Sequence, residues 1–227
     1  MAGRRASVLL PAVSFLESAD TPPPMLPAST QLLLFTQADV GGHALFRVVP
    51  VELSVRPGQG RLWTDVSRGN AFTAAWQDHA RHLSAVGRAR YALPWEQTDL
   101  HVSPRGRNVT LDGRSASLPL FVAWVALLAG LPLPSPFLGT GVALEAHGER
   151  LAPAPREFLQ GKLGVAQAYV KQVFPGAARV AVFVPEGSGF DAAPLTALDV
   201  RPVSTLTKAV EAVLGLKPHA HAEGVGG

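Results

Sequence analysis

The sequence predicts an α+β domain, and three stretches carry that prediction. Val51, Leu53 and Val55 alternate with Glu52, Ser54 and Arg56, the period of a half-buried strand. Leu118 to Ala129 is an apolar run long enough for one buried helix. Arg156 to Val173 places Phe158, Lys162, Val165, Ala166, Tyr169 and Val173 at steps of three and four, the stripe of an amphipathic helix. With 227 residues the chain can bury a full core in one large domain without metals or disulfides.

Residues 1–30 are expected to form an arm or linker, because Thr21-Pro22-Pro23-Pro24 and Pro27 favour extended chain. Arg4-Arg5 followed by apolar Ala6 to Leu16 has some look of a secretory signal. Pro11 and Ser14 interrupt it and no small-x-small cleavage site follows, so export is disfavoured. The folded domain is expected over 31–216. Leu32 to Phe35 and Ala44 to Val49 read as strands around a turn at Asp39-Val40-Gly41-Gly42. Pro57-Gly58-Gln59-Gly60 turns the alternating strand, and Arg61 to Val66 returns as its hairpin partner. Ser67-Arg68-Gly69-Asn70 offers N-cap chemistry for a helix with Phe72, Trp76, Leu83 and Val86 on one face. His79 and His82, near the end of that helix, read as surface or half-buried side chains without a third ligand for a metal.

Gly87 to Pro94 reads as loop, and Thr98 to Ser103 as a short strand leading towards Leu111 and the apolar helix. Prolines between Leu131 and Pro136 then break the chain. Leu138 to Leu144 reads as a strand with a tight glycine approach at its start, and Glu145 to Pro155 as a hairpin or loop. The 156–173 helix stops at Pro175-Gly176. Ala178 to Val184 and Leu198 to Val203 are strands flanking a glycine-rich loop, and Ser204 caps a last helix to about Leu214. Residues 217–227 are expected to be a flexible tail.

The absence of cysteine excludes disulfides, zinc-thiolate sites and thiol nucleophiles, and it fits a cytoplasmic protein. No metal or cofactor is expected. Gly139-Thr140-Gly141 is too short for a phosphate loop, and no Walker-type Gly-x-x-x-x-Gly-Lys-Ser/Thr occurs. The longest apolar run, Leu118 to Leu133, is broken by Gly130 and Pro132 and falls short of the ~18–20 residues that span a bilayer, so no membrane segment is expected. The basic residues are scattered rather than gathered into a patch, which disfavours nucleic acid as a partner despite a pI near 9.7.

Chemistry enters with a serine and a lysine. The stretch 111–118 puts hydroxyl residues just ahead of the apolar helix, where unpaired N–H groups and the helix dipole would stabilise an anion. The alternative is a plain N-cap. Lys162 lies on the apolar stripe, while Lys171 shares the polar face. A lysine in a core stripe snorkels, pairs with a carboxylate, or loses its proton, and in the last case it can act as a general base. The chain has sixteen arginines and four lysines, so a fixed charge could have been arginine where a titrating amine could not. Ser115 and Lys162 are therefore a candidate nucleophile and base. Structural cap and snorkelling lysine remain the alternative.

Several blocks resemble the proteolytic domain of Lon proteases, in order over roughly residues 40 to 216. Val51 to Leu62, with Pro57-Gly58-Gln59-Gly60-Arg61-Leu62, is similar to that domain's first hairpin. Thr98-Asp99-Leu100-His101-Val102 is similar to its Asp-Ile/Val-His-Ile/Val strand, and Asp112-Gly113-Arg114-Ser115-Ala116 to its Asp-Gly-Pro-Ser-Ala nucleophile motif. Thr140-Gly141 resembles the family's Thr-Gly, and Pro155 through Lys162 matches the span of its lysine segment. The resemblance implies a Lon-like α+β fold with mixed sheets and a buried helix after the nucleophile. It implies a Ser115–Lys162 dyad supported by Thr140 and Asp112, with Arg114, Ala116 and Ser117 forming the oxyanion region.

The implied function is ATP-independent hydrolysis of peptide bonds in unfolded or flexible protein segments. The implied partners are a protein or peptide substrate, a separate activator or ATPase, and further copies of the chain, up to a hexameric ring. Arg114 stands where the family has proline and Ser117 where it has glycine, and both crowd the oxyanion region. Ser103 replaces a second histidine, and Arg156-Glu157 replaces a glycine pair. These departures support the alternative of a catalytically silent Lon-like scaffold or regulatory subunit. Ser117 is the rival nucleophile.

Overall fold

The computed structural model describes residues 29–219 apart from 42, 112 and 145–147. The expected arm and tail therefore lie almost entirely outside the described residues, as does Asp112. The backbone is a mixed α+β arrangement. β1 (Ser29–Val40) and β2 (His43–Pro57) form one long antiparallel ribbon, registered from Ser29 against Ser54 to Val40 against His43. The sequence reads this ribbon as separate short strands. Pro50 does not end the second strand, since β2 runs through it.

β5 (Thr98–Pro104) pairs antiparallel with β2, and β3 (Leu62–Thr64) pairs parallel with β5. The expected hairpin return of Arg61 to Val66 onto Val51 to Arg56 is thus corrected, because β5 occupies the place beside β2. Asp99 explains the exchange. Its Oδ1 accepts from the N–H of Gln59 at 2.8 Å and of Arg61 at 2.9 Å, and its Oδ2 from Trp63 Nε1 at 3.0 Å. One carboxylate on β5 thereby fastens the turn and the strand after it. These donors hold its pKa down to about 2, the Trp63 bond contributing most.

On the other side of β1 the sheet continues in parallel through β7 (Leu138–Gly139), β10 (Val180–Pro185) and β11 (Leu198–Val203), giving the order β11-β10-β7-β1-β2-β5-β3. Two short ladders lie outside this sheet: β4 (Ala71–Phe72) with β6 (Thr110–Leu111), and β8 (Val142–Ala143) with β9 (Leu151–Ala152).

The central helix α2 (Ser117–Ala129) sits in the larger core, and every residue in it except Ala129 is buried. Gly130, at φ 67°, closes it in the left-handed conformation that glycine adopts without penalty. α1 (Ala74–Arg90) buries Trp76, Leu83 and Val86 against the same core. It begins later and ends later than the sequence suggests. Ser67 to Gly69 makes a separate turn of 3-10 helix, Thr73 is the cap that accepts from Trp76 N–H, and the helix continues through Gly87.

α3 (Arg156–Val173) has the predicted bounds but a different buried face: Leu159, Leu163, Ala166 and Val170 pack on the second core, whereas Phe158 and Val173 are exposed. α4 (Leu206–Leu214) is capped by Thr205 rather than Ser204. Among the described residues no helix is long and apolar enough to cross a membrane.

Candidate active site

Three chain segments meet where β7 ends. The expected strand from Leu138 to Leu144 breaks at Thr140, and the chain turns from the sheet to the start of α2. Glycine makes the turn possible. A Cβ on Gly139 would lie 2.8 Å from Leu118 Cδ2, and one on Gly141 would lie 3.2 Å from Pro185 Cγ. The close approach lets Gly141 N–H donate to Ser115 O at 2.9 Å and Leu118 N–H to Gly141 O at 3.4 Å. Ser115 is thus anchored by its carbonyl to the residue that follows Thr140.

Ser115 is not the helix cap that the local sequence suggests. α2 starts two residues later, and its flanking Ala116 makes no side-chain cap. The first helical N–H groups are already engaged, Ser117 with Arg114 O at 3.0 Å and Leu118 with Gly141. No other described residue takes the N–H of Ser115 or Ala116. The first turn of α2 itself thus offers no unpaired N–H, since Pro119 has none and Leu120 N–H donates to Ala116 O.

Ser117 turns the other way. It is 2 % exposed, its Oγ donates to Arg114 O, and it pairs with Nε2 of His79, itself 3 % exposed. Since the serine proton goes to Arg114 O, the imidazole Nε2–H is the donor of the pair. This corrects two expectations. His79 is a core residue, not a surface or half-buried one, and Ser117 is packed inward, so it neither crowds the half-buried Ser115 Oγ nor offers a reachable nucleophile. Arg114 is exposed. His82 is half-buried and bonds Gly148 O at 3.0 Å.

Lys162 approaches from α3. It stands one position off the buried stripe, half-buried, and its cover comes from the β1–β2 ribbon: Nζ lies 5.8 Å from the Phe35 ring centroid and 5.9 Å from that of Phe46. Phe46 reaches this position because Gly161 has no side chain, a Cβ there falling 2.8 Å from the ring. Phe158 packs edge-on against Phe46 from outside. Burial pushes the ammonium down from its ordinary 10.5 to about 8. The two phenyl faces favour the cation, but desolvation outweighs them.

Nζ donates to Thr140 Oγ1 at 3.1 Å, and Thr140 Oγ1 in turn points its proton at Ser115 O, at 3.5 Å. Thr140 is 3 % exposed and bridges the lysine to the serine backbone. No direct hydrogen bond joins Ser115 Oγ to Lys162 Nζ. The structure thus brings Ser115, Thr140 and Lys162 together, leaves Ala116 beside them, and separates Ser117 from them. The sequence does not reveal Phe35 and Phe46, the shields of the amine. Phe35 and Phe46 lie in two separately predicted strands, eleven residues apart, and only pairing of those strands places both rings over α3.

No protein-family model matches the chain, and no curated protein is similar to it.

Proposed function

We propose that the chain is a Lon-like serine peptidase domain that hydrolyses peptide bonds in unfolded or flexible protein segments without ATP. The observation that carries this reading is the Thr140 bridge. A half-buried lysine whose pKa lies near 8 is tied through one hydroxyl to the backbone of the serine that the nucleophile motif singles out. In this mechanism neutral Lys162 takes the Ser115 proton as Oγ attacks the peptide carbonyl. The N–H groups of Ser115 and Ala116 receive the oxyanion, and the lysine returns the proton to the leaving amine. Water then repeats the sequence on the acyl-enzyme. An extended peptide fits the approach to the serine: β1 runs on to Val40 after its pairing with β7 ends at Leu33, and no described strand pairs that side of it beyond Leu33.

A serine-reactive phosphonate or boronate probe tests the assignment. It should label wild type and not Ser115→Ala, and Lys162→Ala should lose casein cleavage while keeping its fold. Labelling that persists in Ser115→Ala sinks the reading. A second reading, a silent scaffold or regulatory subunit of the same fold, rests on the missing Ser115–Lys162 hydrogen bond. Catalytic contacts often tighten only on substrate binding, which is why the peptidase stands first. Work in the cytoplasm, a hexameric ring and a separate ATPase that delivers substrate belong to the same proposal.

A further inference from the structure

The far margin of the sheet carries a second concave surface. β3 is the outermost strand, and a cleft of about 460 Å³ lies between it and α1, floored by Trp124. The backbone of β3 is half used. Arg61 O accepts from Leu100 N–H at 2.8 Å and Asp65 N–H donates to Val102 O at 2.9 Å, both towards β5. Alternation along a strand then turns the N–H and C=O groups of Leu62 and Thr64 away from β5, towards an edge that no described strand pairs.

Charge lies on the same surface. Arg81 and Arg88 of α1 line the cleft, and among the described residues no carboxylate does. Arg81 pairs with Asp78 and Arg88 with Glu96, acids outside the cleft in exposed ion pairs, a setting in which such pairs bind weakly, and Arg88 also donates to Ser84 Oγ at 3.1 Å. A carboxylate held inside the cleft would compete with them.

We propose that this cleft docks an extended acidic peptide segment of a partner protein, which adds as a strand along β3 through Leu62 and Thr64 and sets its carboxylates against Arg81 and Arg88. The inference is independent of the hydrolytic reading, since the cleft shares no lining residue with Ser115, Thr140 or Lys162. A small free anion would use the guanidinium groups and leave the strand edge idle. A nucleic acid would do the same.

The test is fluorescence anisotropy on the full chain with a short dye-labelled peptide alternating valine and glutamate. Two control peptides replace glutamate by glutamine or carry N-methylated backbone amides. The glutamate peptide should bind, with affinity falling as salt rises, and both controls should bind at least about tenfold more weakly. Arg81→Glu combined with Arg88→Glu should abolish binding. Thr64→Pro removes one outward N–H without touching the ladder to β5, and should weaken binding while thermal unfolding confirms the fold.

Equal affinity for the glutamate and glutamine peptides overturns the proposal. So does binding that survives the double arginine variant in a folded protein. Displacement of the peptide by a labelled oligonucleotide, or self-association that the same double variant abolishes, assigns the cleft to another occupant and overturns it too.

Discussion

Replacing Lys162 by methionine should stabilise the protein while removing the proposed peptidase activity, and the gain should depend on pH. The buried ammonium has its pKa lowered from 10.5 to about 8. At ~1.4 kcal/mol per pH unit, that drop corresponds to about 3 kcal/mol held against the folded state wherever the amine is charged in both states. Between pH 8 and 10.5 the unfolded chain binds the proton and the folded one does not, so wild-type stability rises with pH across that window. Methionine fills a similar length between Phe35 and Phe46 and carries no charge, at the cost of the Thr140 hydrogen bond, about 1 kcal/mol.

Lys162→Met should therefore exceed wild type by about 2 kcal/mol at pH 6.5. By pH 9.5, where the folded amine is already neutral and the unfolded one is not, the advantage should shrink by about 2 kcal/mol and vanish. Urea unfolding of both proteins at the two pH values measures this, and the difference between them cancels every other titrating group. A variant less stable than wild type at pH 6.5, or a gap that does not move with pH, would refute the reasoning that burial sets the state of this lysine.

Other outcomes follow from the same geometry. If Lys162 is the base, kcat/KM for a fluorogenic peptide should rise through a pKa near 8, leaving the rate at pH 7 about tenfold below its plateau; a flat profile from pH 6 to 9 argues against it. Thr140→Val keeps the shape of the side chain but removes the bridge, and should lower kcat by about tenfold or more with a stability loss of about 1–3 kcal/mol, measured by steady-state kinetics and urea unfolding. Asp99→Asn should loosen the Gly58 to Trp63 segment. Because the folded pKa of Asp99 is depressed to about 2, the wild-type advantage should be complete above the ordinary 3.8 and fade as pH falls towards 2, which acid unfolding of the two proteins reads directly. Gly161→Ala presses a methyl on Phe46, and should displace that ring from Lys162 and raise the lysine pKa, visible as an alkaline shift of the pH–rate curve.

How far the sequence foretells this protein depends on whether the determining contacts are local. The bounds of α3 and the body of α2 are legible because each is a strong pattern ended by proline or glycine, and those of β11 because an apolar strand gives way to Ser204-Thr205 ahead of a helix. β3 is misread because a Pro-Gly turn announces that the chain reverses, not which strand will lie beside it. That choice rests with Asp99, a carboxylate beyond the whole of α1. His79 is misread for the same reason. Its partner Ser117 lies on another helix, and a search for a third metal ligand asks the wrong question of a buried histidine whose Nε2 pairs with a hydroxyl.

What shields Lys162 is not the helical period of α3. The helical period assigned it to a buried stripe that actually runs through Leu159, Leu163, Ala166 and Val170, one step round the helix. From that position alone a lysine would snorkel to solvent. It does not, because the ribbon of β1 and β2 extends beyond the sheet and lays Phe35 and Phe46 over it, and because Gly161 leaves Phe46 room to do so. The depressed pKa is therefore a property of the ribbon as much as of α3. Any movement of that ribbon that opened the amine to water would return it towards an ordinary lysine, so the proposed role of Lys162 as a base depends on the ribbon staying in place.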